Sequence, residues 1–168
     1  MLVLGIDPGT ATTGYGFIRS TPEGDLVAVA YGVISTVKNT KPEQRLLVIY
    51  QQLSELITLH SPETAAVEKL FFQRNVTTAM AVGQARGVIL LALAQNSIQV
   101  AEYTPMEIKQ AVVGYGGADK NQVQMMVKAI LHLDDIPRPD DAADALAVAI
   151  CHSHAYRYKQ LAEMTDDQ

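Results

Sequence analysis

Three apolar segments follow one another within the first 36 residues, separated only by tight-turn signals, and no helical period fits between them. Leu2 to Asp7 reads as a buried strand that ends on a carboxylate, because its run of Leu, Val and Ile is too short for a core helix. Pro8-Gly9-Thr10 is a turn signal, Gly14 to Arg19 a second strand, and Thr21-Pro-Glu-Gly24 a hairpin connection. Asp25 to Thr36 reads as a third strand. Three strands joined by such short connections can only form an antiparallel meander.

The period then changes. Thr40-Lys-Pro-Glu43 has the spacing of a capping box, and Leu46, Ile49, Leu53, Leu56 and Ile57 follow at helical intervals up to His60. Thr64 to Glu68 is a short strand, again ending on an acid, and Asn75 to Gln95 a long apolar helix. Ile98 to Tyr103 is the fifth strand. Thr104-Pro-Met-Glu107 opens a helix to about Val113, Gly114 to Gly117 is a loop, Asp119 to Leu133 a helix and Asp140 to about Glu163 the last helix. A meander followed by alternating strands and helices predicts an α/β fold, one five-stranded mixed sheet with helices on both faces. With no repeat, low-complexity tract or linker, residues 1–168 read as a single domain whose end, 164–168, frays.

Composition excludes several classes. Hydrophobic residues make up 48%, enough for a core. The single cysteine, Cys151, rules out a disulfide framework and reads as a small buried hydrophobe. The apolar start runs into Asp7-Pro8-Gly9 without a basic segment or cleavage site, and Gly87 to Ala94 is too short to span a bilayer, so a cytoplasmic protein without a membrane partner is expected. The net charge of −5 is unevenly spread: −3 over residues 1–68, +3 over 69–133 and −5 over 134–168. A basic middle flanked by acids that could bind cations is compatible with nucleic acid.

The acids carry the chemistry. Asp7 and Glu68 end two strands, and the last helix opens with Asp140-Asp141-Ala-Ala-Asp144. Asp141 and Asp144, three apart, share a helix face, and the alanines between let that face approach the sheet. Four ionised carboxylates at one point repel unless cations lie among them, and hard oxygen donors select Mg²⁺, with Mn²⁺ able to substitute. Two such ions could clamp a phosphodiester. Taken singly, Asp141 could be a helix cap and Asp7 a turn residue. Glu68 is harder to dismiss, since Ala65-Ala-Val67 predicts a buried strand.

Gly5-Ile-Asp-Pro-Gly-Thr10 with Thr13-Gly-Tyr-Gly16 resembles the opening of the RuvC-type Holliday-junction resolvases. Ala66-Val-Glu-Lys-Leu-Phe-Phe72, Gly83-Gln-Ala-Arg-Gly-Val88, Ile108 to Gly114, Ala118-Asp-Lys120 and Asp141 to Ile150 are similar to the family's later motifs, in order and at its spacings. The resemblance implies a ribonuclease-H-like fold, a homodimer, two Mg²⁺ per active site, paired symmetric nicks in four-way junction DNA, and work beside the RuvA and RuvB branch-migration proteins. It places the catalytic and metal-binding acids at Asp7, Glu68, Asp141 and Asp144. Asp140 is an extra neighbour, and the Asp-Ala-Ala-Asp register favours Asp141.

It also places Lys109 and Lys120 beside the DNA backbone near the cut, where a cation neutralises charge that grows in the transition state. Phe71 and Phe72 cannot both face inward on a regular strand, so one is expected at the site against bases; the resemblance favours Phe71. Arg74 could contact phosphate from the same loop. Ala79, Gly83 and Gly87 are four apart and would permit either a dimer contact or close packing on the chain's own sheet. His60, His132, His152 and His154 share no pattern with the acids and are given no catalytic role. Two other readings remain: a ribonuclease-H-like nuclease acting on other nucleic acid, and an actin-like ATPase or sugar kinase, whose Gly-Ile-Asp opening is similar but which needs two such domains.

Overall fold

A computed structural model describes residues 1–69 and 76–166. The strands are β1 (Leu2–Asp7), β2 (Thr12–Ser20), β3 (Leu26–Ser35), β4 (Thr64–Glu68) and β5 (Gln99–Tyr103). The helices are α1 (Pro42–His60), α2 (Val76–Gln95), α3 (Pro105–Val113), α4 (Lys120–Ile130) and α5 (Asp140–Asp166). The sheet order is β3-β2-β1-β4-β5. The meander pairs antiparallel, whereas β4 and β5 run parallel to β1 because helices return the chain between them.

Each face of the sheet has its own core. Val3, Ile18, Ala66 and Ala101 point towards α5, with α3 and α4 packed outside it around Ile108, Val112, Val123 and Val127. Leu2, Leu4, Ile6, Phe17 and Val67 point towards α1 and α2, which contribute Ile49, Leu53, Ala85, Ile89 and Leu93. The period-2 alternation of β1 therefore decides the site: Val3, Gly5 and Asp7 share the α5 face. Ala66 and Glu68 do the same on the neighbouring strand, where Ile6 pairs with Val67.

Two helix boundaries differ from expectation. α1 is capped by Lys41, with no side-chain bond, instead of a capping box at Thr40. Pro42 fixes the first helical position and leaves Thr40 in the preceding turn, where its N–H meets the Val37 carbonyl at 3.4 Å. α4 stops at Ile130 although Leu133 keeps the helical period. His132 adopts φ 51°, and the N–H groups of Leu133 and His132 return to the carbonyls of Lys128 and Ala129. This is a Schellman cap, in which the residue beyond the turn is apolar because it folds back on the core. The box at Thr104 forms as expected, and Asp119 with Gln122 forms another.

Candidate active site

At Gly5 and Gly14, α5 meets the sheet backbone to backbone. A Cβ built on Gly5 would lie 2.2 Å from the Ala145 carbonyl oxygen, and one on Gly14 only 1.9 Å from that of Asp141. Both glycines are therefore places where two backbones touch, and any larger residue would lift the helix. Ala142, Ala145 and Ala149, all buried, allow the same approach from the helix side. The first turns of α5 are thus carried over the ends of β1 and β2, and the β1–β4 pairing brings Glu68 beside Asp7.

The charges follow from that geometry. Burial pushes the Asp7 carboxyl from its ordinary 3.8 up to about 8, helped by the charges of Glu68, Asp144 and Asp141 and by a hydrogen bond shared with Glu68. Burial also raises Glu68, opposed by its bond to Asp7 and by the nearby charges of Lys109 and Lys120. Asp144 is raised by burial and held down in part by Lys120. Acids from three separate elements therefore lie within mutual electrostatic reach. Asp140 is not among the groups acting on Asp7; it pairs with Arg138 at 2.7 Å and Lys120 at 3.3 Å.

Lys120 also bonds the Asp144 Oδ2 at 3.1 Å, so one ammonium bridges the two acids. Burial works against its charge, but Asp144 and Asp140 outweigh that and raise its pKa. Glu68, Lys109, Lys120 and Asp144 line a cleft of about 260 Å³. Among the described residues, no three Asp, Glu, His or Cys side chains form a ready coordination sphere. The upward shift of the Asp7 carboxyl and the ammonium on Asp144 both reduce the net negative charge of the cluster. Phe71, Phe72 and Arg74 lie outside the described residues.

Sequence reasoning missed the supports around the acids. The loop after Asp7 is tied down by the buried Thr13, whose hydroxyl donates to the Gly9 carbonyl at 2.6 Å. Thr36 donates to the Thr10 carbonyl at 2.6 Å, and Arg45 Nε donates to the Thr36 hydroxyl at 2.7 Å. The Thr-rich turn was the available signal, but Arg45 is on another element and gives none. His152 is buried between the Thr64 hydroxyl at 3.0 Å and the Tyr103 hydroxyl at 2.9 Å. Thr64 donates onward to the Gln99 carbonyl, so His152 Nε2 carries the proton and Nδ1 accepts from Tyr103. Burial lowers the His152 pKa, consistent with this neutral ring joining α5 to β4 and β5. Cys151 is buried, its thiol pushed up to about 12, so it is not a nucleophile.

The mixed sheet, the two strand-end acids and the helix that lays further acids across them define a ribonuclease-H-like α/β protein with a carboxylate centre. The sequence model described as crossover junction endodeoxyribonuclease RuvC matches residues 3–152. The crossover junction endodeoxyribonuclease RuvC of Syntrophomonas wolfei is 56% identical, over 97% of this chain and 94% of its own. The Thermus thermophilus RuvC structure superposes with a TM-score of 0.88 at 36% identity, covering 95% and 97% of the two chains. T. thermophilus RuvC in complex with Holliday junction substrate gives 0.86 at 34% identity, covering 94% and 96%. The chain belongs to the RuvC family.

Proposed function

We propose that this chain is an endonuclease that resolves four-way (Holliday) DNA junctions by paired symmetric nicks, in recombination and repair, using the acid cluster as its hydrolytic centre. The observation that carries the reading is the convergence of Asp7, Glu68, Asp141 and Asp144 from three elements, close enough that the other three charges join burial in pushing the Asp7 carboxyl up. A centre with that much excess negative potential and only oxygen donors suits hard divalent cations. Asp7, Glu68, Asp141 and Asp144 would hold two Mg²⁺, or Mn²⁺ in their place, which when bound make water a nucleophile at neutral pH and balance charge on the leaving oxygen.

The chain's own residues do the rest. Asp7 and Glu68 would act as oxygen donors to the ions once any proton between them is released to solvent. Lys120 spans Asp140 and Asp144 and lines the cleft, so its ammonium would be at hand for a phosphate there, with Asp140 as a second anchor. Lys109, on the other wall, faces the same point, and both cations stabilise a phosphate whose charge grows during cleavage. Phe71, Phe72 and Arg74 remain assigned to DNA by sequence.

The homodimer reading rests on α2. Ala85, Ile89, Ala92 and Leu93 of this helix face the core, whereas a Cβ on Gly83 or Gly87 would meet nothing within 4 Å, and Met80 and Leu91 are exposed. The open space over Gly83 and Gly87 supports a contact with a second copy. Residues Thr78–Gln95 are long and apolar enough to cross a membrane, yet the inward side chains belong to the core of the sheet. RuvA and RuvB as partners, and the cytoplasm as location, follow from the family resemblance.

Labelled four-way junction, plain duplex and RNA–DNA hybrid, incubated with and without Mg²⁺, test the reading. Paired cuts confined to the junction, dependent on the metal and lost in Asp7→Asn, are expected. Undiminished cutting by Asp7→Asn, or equal cutting of all three substrates, would overturn it.

A further inference from the structure

Beside the acid cleft lies a second groove, of about 590 Å³, lined by Pro105, Met106, Lys109, Tyr115 and the glycines after it. It shares Pro105 and Lys109 with the cleft, so the two are continuous. Its floor is apolar and open: Met106 is 68% exposed and Tyr115 66%. No carboxylate lines it, in contrast to the cleft it joins.

The surface is fixed in place. Gly114 ends α3 in a left-handed conformation with its N–H on the Gln110 carbonyl, and the Gln110 side-chain amide donates back to the Gly114 carbonyl at 2.8 Å. The Ala118 N–H bonds the Tyr115 carbonyl at 3.1 Å. A Cβ on Gly117 would lie 2.5 Å from the Tyr115 hydroxyl and 2.6 Å from its ring, so the ring rests across Gly117. A Cβ on Gly116 would lie 2.7 Å from the Met106 Cγ, so the thioether side chain seats on the other glycine. The result is a preformed aromatic and thioether shelf with one cation at the edge that faces the acids.

We propose that this shelf is a base-stacking subsite: Tyr115, with Met106 beside it, receives a nucleobase of the strand being cut, next to the phosphate that Lys109 faces. The inference rests on the acid cleft being where the strand is cut. A strand whose phosphate enters the cleft must pass Lys109, and the adjoining surface offers a π face, a polarisable sulfur and no negative charge. That chemistry suits an unstacked base, whichever its identity; the one charged group among the lining residues, Lys109, lies at the edge shared with the acid cleft, and the Gln110 amide is engaged by the Gly114 carbonyl. Stacking also favours bases that leave a duplex most easily, so the subsite contributes to where the enzyme cuts.

The test uses the full chain on four-way junctions carrying 5-iododeoxyuridine at each position flanking the cut in turn. Irradiation of the parent is expected to crosslink Tyr115 at one flanking position. Tyr115→Ala should lose that crosslink and cut about tenfold less efficiently, the order of one stacking contact. Tyr115→Phe should cut like the parent, because stacking does not need the hydroxyl. Gly117→Ala, which unseats the ring while leaving Tyr115 intact, should fall between them. Tyr158→Ala, altering an exposed tyrosine far along α5, is the control. Parental cutting by Tyr115→Ala, an equal loss in Tyr115→Phe, or Tyr115→Ala acting through self-association measured by light scattering would each overturn the proposal. Undiminished cutting by Asp7→Asn would instead sink the reading of the acid centre, and the crosslink separates that failure from this one.

Discussion

Asp7→Asn should stabilise the metal-free protein while destroying its proposed chemistry. The carboxyl of Asp7 titrates at about 8 in the fold against an ordinary 3.8, so between those values the folded state holds a proton that the unfolded chain has lost. Stability therefore falls as pH rises through that window, and is fully retained only below about 3.8. At about 1.36 kcal/mol per unit of pKa, the ceiling is roughly 5–6 kcal/mol above pH 8. Glu68 shares the proton and water reaches part of the pair, which brings the expected gain from an uncharged amide to about 1–3 kcal/mol. For a chain of this length that is roughly 2–10 °C in Tm. Melting both proteins in EDTA from pH 5 to pH 8.5 measures it, and the gap should widen with pH. Added Mg²⁺ or Mn²⁺ should then close the gap by raising the parent alone, by about 2.7 kcal/mol at a hundredfold excess over its Kd. An Asp7→Asn protein that melts at or below the parent at pH 8 without metal, or a gap that does not grow with pH, refutes the reasoning.

Glu68→Gln and Asp144→Asn should each lower junction cutting by about a hundredfold or more while gel-shift binding persists, because only the ion-holding charge is lost. Lys120→Ala should lower cutting by about ten- to a hundredfold yet move the melting temperature little, since its partners are partly exposed and such pairs stabilise weakly. Gly14→Ala should destabilise by about 1–3 kcal/mol or more in chemical denaturation, because its methyl meets the Asp141 carbonyl. His152→Ala strands the Tyr103 hydroxyl and loosens Thr64, costing about 1–3 kcal/mol, with cutting preserved well below the melting temperature.

The placement of the two strand-end acids was legible because it follows from periodicity. A strand that alternates and ends on an acid fixes the face on which the acid emerges, and Asp7 and Glu68 both obey. The preference for Asp141 over Asp140 comes from the family resemblance; in the structure Asp140 pairs with Arg138 and shares Lys120 with Asp144. What stayed hidden is long-range and patternless. Thr64, Tyr103 and His152 are joined by hydrogen bonds across 88 residues of chain, and no local spacing announces them. The boundaries of α1 and α4 depended on which of two neighbouring residues takes the cap, where one proline or one left-handed histidine decides. Tyr115 and Met106 each look like ordinary surface residues until the fold sets them on adjacent glycines.

Because Gly5 and Gly14 touch the backbone of α5, the spacing between the anchor points of the strand-end and helix acids is set by the main chain. Side-chain rotamers adjust the oxygens only about anchor points that these backbone contacts hold in place. Adaptation to another ion or another substrate has to come from the rim, where lysines, tyrosine and methionine can be exchanged without disturbing that gauge. A side chain at Gly5 or Gly14 would push α5 off the sheet and so move Asp141 and Asp144 relative to Asp7, without either glycine taking part in any chemistry itself.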